Sequence, residues 1–326
     1  MRLRSGRAVR GPGSWARRAA IAGAAAGVAA AAVLLPSTAS ARPALAAPTA
    51  LTAAPAPAWA SRDGAALHPG VSTTTQGGGT CTSNFLFRGG DGSVYIGQAA
   101  HCAGTGESTE TDGCTSATMP VGTSVTVRGD RGFTATGTMV YSSWATMQRQ
   151  GETDPNTCAY NDFALVKLPQ EAVAVANPTV PWFGGPTGVS TGGLPAGAQT
   201  FSYGNSPVRG GLSALSPKAG VSAGDVGGGW GHTVYTVSPG VPGDSGSAFL
   251  DSSGRAIGLL STLNLAPLPV SNGVSDLSLA LAYANTHGEL GDVSLVDGTA
   301  PFTSTPPGVA PQDLAPPAGP PVGATS

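Results

Sequence analysis

Only 6% of this 326-residue sequence is aromatic and only 10% is charged. With 49 glycines and 28 prolines beside them, so few large side chains speak against a helical bundle and for many short strands joined by turns. No internal repeat appears at a solenoid period, which excludes a repeat array. The sequence has four histidines and four cysteines, and they lack the spacing of a zinc site. No structural metal and no cofactor is therefore expected. Six of the sixteen basic residues (Arg2, Arg4, Arg7, Arg10, Arg17 and Arg18) fall in the first eighteen positions. Beyond residue 41 ten basic and eighteen acidic residues remain, a formal charge of −8. Such a surface repels phosphates, and a nucleic acid partner is not expected.

The arginine cluster is followed by an apolar run, Ala19 to Leu35, then Pro36 and the small-residue pattern Ala39-Ser40-Ala41. This order is that of a secretory signal peptide over 1–41. A run of that length could span a bilayer, but its alanines and glycines are weakly apolar and a processing site follows at once. Export, an extracellular location and no membrane association after signal removal are the expectation. All four cysteines (Cys81, Cys102, Cys114 and Cys158) lie beyond the leader. In an oxidising compartment they predict two disulfides, for which three pairings are possible.

Residues 42–70 are largely Ala/Pro-rich without a strand or helix period and read as an extended linker or short propeptide. Residues 299–326 are again Pro-rich and read as a disordered tail. Between them, 71–298 forms the folded domain. Ser83 to Arg88 and Ser93 to Gln98 flank Gly89-Gly90-Asp91-Gly92, a hairpin signal. Ser124 to Arg128 and Gly132 to Tyr141 flank Gly129-Asp130-Arg131, and Phe163 to Leu168 is a buried strand pattern. A Pro/Gly-rich stretch, 177–198, precedes a second set: Gln199 to Tyr203, His232 to Val237, Gly246 to Leu250 and Ala256 to Thr262. Only Ser275 to His287 reads as helix, with Ser275 or Asp276 able to cap its start. Arg128-Gly129-Asp130 is assigned to turn geometry rather than adhesion. Trp144, Trp182 and Trp230 are assigned to packing.

Three short segments carry chemistry. Gly243-Asp244-Ser245-Gly246-Ser247 follows a tight Pro/Gly turn and precedes an apolar strand, so Ser245 stands on a sharp bend. The glycines let the backbone approach a substrate carbonyl, leaving the amides of Gly243 and Ser245 to bind a developing oxyanion. A serine hydroxyl needs a base to become a nucleophile. Gln98-Ala99-Ala100-His101-Cys102 ends a strand with a histidine beside a cysteine, which can pin the backbone behind the imidazole. His232, by contrast, reads as a strand-edge polar group. Asn161-Asp162-Phe163-Ala164-Leu165 sets a carboxylate at the mouth of a buried strand, where it needs a partner. An imidazole N–H supplies one and fixes the tautomer that can accept a serine proton. Taken singly, each segment has a plain structural reading: a polar hairpin turn, a satisfied histidine, and a strand cap or turn residue.

Together, in the order His, Asp, Ser and spaced 61 and then 83 residues apart, they closely resemble the trypsin and chymotrypsin family of serine proteases, and its secreted bacterial members most. The resemblance covers about residues 72 to 290. It implies an all-β fold of two packed six-stranded antiparallel β-barrels with a C-terminal helix, and a site in the crevice between them. His101 would act as general base and then acid, Asp162 as its orienter, Ser245 as the acyl-forming nucleophile and Gly243 as part of the oxyanion hole. Ser261 resembles the family serine that supports the aspartate. Cys81 would pair with Cys102, which leaves Cys114 for Cys158. Activity would fall as His101 protonates, near the unperturbed value of about 6.5. The partner implied is a polypeptide substrate, and a monomer is expected.

Departures from the family also speak. No Ile/Val-Val-Gly-Gly start precedes Cys81, so no new N-terminus is at hand to pair with Asp244, which must find another partner. Pro239 stands where base-preferring members carry a pocket aspartate, neither Gly240 nor the segment around Leu265 offers the pocket's bracing cysteine, and Leu263 replaces the glycine that keeps the pocket open. Arg/Lys specificity is thus disfavoured and a shallow apolar or small-residue pocket expected. The alternatives are a non-catalytic secreted binding protein on the same scaffold, for which Leu263, Pro239 and Pro242 speak, and an esterase using the same three residues.

Overall fold

The structure is a computed structural model in which residues 57–107, 111–210, 212–264 and 271–305 are described. The expected signal peptide, residues 42–56 of the linker, residues 306–326 of the tail and the segment around Leu265 lie outside them. Along the first part of the chain run β1 (Ser72–Thr75), β2 (Thr80–Thr82), β3 (Leu86–Gly89), β4 (Val94–Gln98), β5 (Ser124–Arg128) and β6 (Thr134–Ser142). Helices α1 (Ser143–Gln150) and α2 (Pro155–Tyr160), strand β7 (Ala164–Lys167) and helix α3 (Gln170–Ala174) follow. The second part holds β8 (Gln199–Tyr203), β9 (Pro217–Val226), β10 (Gly231–Thr236), β11 (Ala248–Asp251), β12 (Ala256–Asn264), β13 (Ser271–Asp276), α4 (Leu277–His287) and β14 (Val293–Leu295).

Antiparallel pairing sorts these strands into two units. The second is a closed barrel in the order β10-β13-β12-β11-β8-β9, six strands as expected. The first is a single sheet of eight, β14-β3-β4-β7-β6-β5-β1-β2, in which two three-residue strands flank six central ones. It cannot be flat. β2 and β3 stand six places apart, about 29 Å in a flat sheet, yet only Ser83, Asn84 and Phe85 join them, a reach of roughly 13 Å. The sheet therefore curls into a barrel-like unit, with β2 and β14 overlapping the expected six-stranded set at its margins.

The few aromatic side chains are concentrated where the two units need them. Phe163 packs edge-on against Phe87, ring centroids 5.3 Å apart, and against Tyr141 at 6.1 Å. Phe201 touches both Phe183 and Phe302, at 5.3 and 5.4 Å. Each fully buried ring contributes roughly 1.5–3 kcal/mol. Both ends of the fold reach further than the composition suggested. Ala65, Ala66 and Leu67 are buried, and Ala66 N donates to Val175 O at 3.0 Å, so the later part of the expected linker is part of the packed unit. Trp182 Nε1 likewise donates to Thr305 O at 3.2 Å.

Three helices beyond the expected one appear between β6 and the second barrel, and local signals explain them. Asp154 caps α2 by accepting from the amides of Asn156 and Thr157 at 3.1 and 2.8 Å, with Pro155 at the first helical position. α1 closes on Gly151 in the left-handed region, φ 65°. Asp276, one of the two expected caps of α4, accepts from Leu279 N at 2.8 Å.

His232 overturns its assignment as a strand-edge group. The ring is fully buried, with Nδ1 2.7 Å from Asp225 Oδ1 and Nε2 3.0 Å from Asp276 Oδ2. Ionised carboxylates can only accept, so both contacts are made in full only when both ring nitrogens carry a proton. Burial acts to lower its pKa, but the hydrogen bonds and charges of Asp276 and Asp225 outweigh burial and raise it. A raised value means stabilisation that is complete below the unfolded value of about 6.5 and lost as the pH rises through the folded one. His232→Gln should therefore cost on the order of 1–3 kcal/mol at pH 5–6. Urea unfolding across pH 5 to 9 is expected to show that gap narrowing towards alkaline pH.

Candidate active site

His101 lies in a single 3₁₀ turn, Ala100–Ala103, directly after β4. The turn is braced from behind by the disulfide Cys81–Cys102, and the second disulfide joins Cys114 to Cys158. Asp162 precedes β7, and its neighbour Phe163 is locked in the aromatic cluster, so the carboxylate is held at the strand's mouth. Asp162 Oδ1 accepts the backbone N–H of His101 at 2.8 Å and Oδ2 meets the ring Nδ1 at 2.6 Å. The carboxylate thus orients both main chain and ring, and it places the proton on Nδ1, leaving Nε2 as an acceptor. The Asp162 side chain is 4% exposed and that of His101 26%, so the imidazole is the face offered to solvent.

The second barrel completes the surroundings of Asp162. Ser261 Oγ, on β12, donates to Oδ2 at 2.6 Å, the position its resemblance implied. Ser275 Oγ, on β13, accepts the Asp162 amide at 3.3 Å and donates to Tyr160 O at 2.7 Å. Burial acts to lower the pKa of His101, and the charge and hydrogen bond of Asp162 prevail and raise it. Trp144 borders the ring at 6.4 Å between centroids, in keeping with a packing role.

Ser245 lies on the turn before β11. Its carbonyl accepts from Thr82 N at 2.8 Å, and Gly246 N donates to Leu260 O at 2.7 Å. Gly246 has φ 85°, and a Cβ there would stand 2.4 Å from Thr82 O and 3.0 Å from Ala99 N. Only glycine lets the turn press so closely on the segment that carries His101. His101 and Asp162 are thus hydrogen-bonded to each other. No hydrogen bond joins Ser245 Oγ to the ring among the described residues.

The turn itself has an unusual balance of donors and acceptors. Every carbonyl from Val241 to Ser245 has a donor: Asp244 N, Ser206 Oγ, Thr82 Oγ1, Ser247 N and Thr82 N in order. Val241 N, Asp244 N, Gly246 N and Ser247 N are likewise spent. Among the described residues, only the amides of Gly243 and Ser245 in this turn have no partner.

Asp244 has found its partner inside the fold. Fully buried, its Oδ2 accepts from Lys218 Nζ at 2.7 Å and from Arg209 Nη2 at 2.5 Å. Its Oδ1 takes Ser206 N at 3.0 Å. Burial acts to raise the carboxyl's pKa, but Lys218 and Arg209 outweigh it and hold the value low. Burial in turn pulls the Lys218 ammonium below its ordinary range, against the opposing charge of Asp244. Neither cation was singled out from the sequence; the available clue was the scarcity of basic residues beyond the leader. The two groups of possible metal ligands among the described residues, Cys81/His101/Cys102 and Asp112/Cys114/Cys158, each contain both halves of a disulfide, whose sulfurs are not thiolate ligands. Lys218→Met leaves a buried carboxylate short of a charge and should cost about 3–5 kcal/mol. Urea unfolding of the variant beside the parent protein measures it.

No protein-family model and no curated protein matches the chain. Solved structures similar to it include Thermobifida fusca protease A, at 17% identity, covering 72% of this chain and 100% of that one with a TM-score of 0.41. Nocardiopsis protease is similar at 18% identity, with 70% and 98% covered and a TM-score of 0.40. Cellulomonas bogoriensis chymotrypsin is similar at 15% identity, with 71% and 98% covered and a TM-score of 0.41. These three are described as two proteases and a chymotrypsin.

Proposed function

We propose that the protein is a secreted serine endopeptidase that hydrolyses peptide bonds through an acyl-enzyme on Ser245. One observation carries the reading: a turn whose only open backbone donors are the amides of Gly243 and Ser245 presses at Gly246 on the segment that carries an imidazole already committed to a buried carboxylate. His101 Nε2 takes the hydroxyl proton as Ser245 Oγ attacks the scissile carbonyl, and the two amides receive the oxyanion. Asp162 stabilises the imidazolium without taking its proton. The protonated ring then donates to the leaving amine, and water repeats the sequence to release the acid product. In a free enzyme the contact between nucleophile and base is commonly loose and tightens with substrate, which accords with the unbonded Ser245 hydroxyl. The two disulfides suit the extracellular setting that the leader implies.

A fluorophosphonate should label Ser245 alone in the folded protein, and Ser245→Ala should abolish both labelling and peptide hydrolysis. A folded wild-type protein that stays unlabelled would overturn the proposal. The raised pKa of His101 sets the sign of the pH dependence. The base must be neutral, so kcat/KM falls as the pH drops through a value above the ordinary 6.5 or so of imidazole. This places the acid limb higher than the sequence alone suggests; a pH profile of the phosphonylation rate measures it.

The surroundings of Gly240 support a preference other than Arg/Lys. Gly240 N donates to the buried Asn272 Oδ1 at 2.8 Å, and a Cβ at Gly240 would meet Leu260 and that same carboxamide within 3 Å. Asn272 is itself anchored to Thr236 Oγ1 at 2.9 Å, and it pairs across the ladder with Leu263, which is 44% exposed. A neutral amide and leucines give a cationic side chain no counter-charge. Cleavage profiling on a denatured proteome should show small or apolar residues before the scissile bond. Arg and Lys there should be disfavoured by about tenfold or more, the 1.4 kcal/mol that one missing charged hydrogen bond readily exceeds.

A further inference from the structure

The amide of Gly243 is useful only if its peptide plane faces the crevice, and glycine at φ 96° has no side chain to hold that plane. The restraint comes from two hydroxyls on distant segments. Ser206 Oγ donates to Pro242 O at 2.5 Å while accepting Val208 N at 3.2 Å. Thr82 Oγ1 donates to Gly243 O at 2.7 Å while accepting Asn205 N at 3.1 Å. In each case a backbone amide occupies the hydroxyl as acceptor, which leaves its proton directed at the turn carbonyl. In a trans peptide the C=O and the following N–H point in opposite directions. Fixing Pro242 O towards Ser206 therefore turns Gly243 N–H away from Ser206, and fixing Gly243 O towards Thr82 stops the next peptide from following a flip. Ser206 and Pro207 also fill the space beside Gly243, where a Cβ would lie 2.7 Å from Pro207 Cδ.

From this geometry we infer that Ser206 and Thr82 are positioning residues of the oxyanion-binding turn, holding the Gly243 amide in its reactive orientation. The inference rests on the proposed hydrolytic role of Ser245. Neither residue touches the substrate's reacting atoms. Each acts through the peptide it holds, so losing one should slow the step in which charge develops while leaving ground-state binding in place.

The test compares Ser206→Ala and Thr82→Val with the full-length wild-type protein, using a chromogenic peptide, a peptide boronate that forms a tetrahedral adduct, and a non-covalent product peptide. A drop in kcat of about 10- to 100-fold is expected, somewhat below the loss of a whole oxyanion donor. KM and product-peptide affinity should stay within threefold, boronate affinity should fall in parallel with kcat, and Thr82→Ser should restore most of the loss. Variants with wild-type kcat and boronate affinity, or with only KM altered, would overturn the inference. If a variant does not fold, the wild-type protein still decides. The Gly243 amide resonance should move downfield when the boronate binds, and a resonance that does not move refutes the role. A wild-type protein inert to fluorophosphonate would instead defeat the hydrolytic reading itself, so the two failures are distinct.

Discussion

A carboxylate taken out of water must be matched by charge or hydrogen bonds, and the region around the crevice is organised by meeting that demand at Asp162. Its oxygens are shared among the His101 backbone, the His101 ring and Ser261, drawn from the end of β4 and from β12. Its amide is tied to Ser275 on β13. Because the carboxylate takes two partners from the first unit and one from the second, it is fully satisfied only when both units are folded and in contact. The geometry of His101 is thus a consequence of the packing between the two units as much as of its local turn.

Asp244 repeats the principle within the turn that carries Ser245, with a different solution. Lys218 and Arg209 neutralise it from within the fold, and the backbone amides of Ser206 and Val241 complete its shell. The turn carrying Gly243 and Ser245 is therefore assembled by the second barrel's own cations, with no demand for a newly cut N-terminus. Once Asp244 is fixed, the carbonyls of the turn are consumed one by one, and the amides of Gly243 and Ser245 are the two donors left over.

How much of this was legible in the sequence depends on the kind of signal each residue leaves. His101, Asp162 and Ser245 sit in segments with strong local character, a strand end, a strand mouth and a Gly-rich turn, and the first two were read as partners before any distance was known. Strands with apolar alternation or sharp turn boundaries, such as β5 and β8, were legible to the residue. β9 and β13 were not: Pro217–Val226 opens on a proline and is interrupted by Gly220, Gly224 and Asp225, and Ser271–Asp276 is Ser, Asn, Gly and Asp but for one valine, patterns that read as loop until a barrel surrounds them. His232 was misread for a related reason. Its partners Asp225 and Asp276 are seven and 44 residues away, and nothing within a local window indicates that a polar residue opening a strand will be buried between two carboxylates.

The same distinction explains why the supporting residues were the hardest to see. Thr82, Ser206, Lys218 and Ser275 are ordinary residue types in ordinary surroundings, and what sets them apart is which atom they meet 26 to 161 residues away. A nucleophile, a base and an acceptor of charge each need a particular functional group, so their identities survive as motifs. A residue that holds a peptide plane needs only one hydroxyl proton in the right place, which serine or threonine on any nearby segment can deliver. Chemistry that is specified by residue type is therefore readable in one dimension. Orientation, which is specified by where the chain returns to itself, becomes readable only when the hydrogen bonds of the folded turn are followed donor by donor.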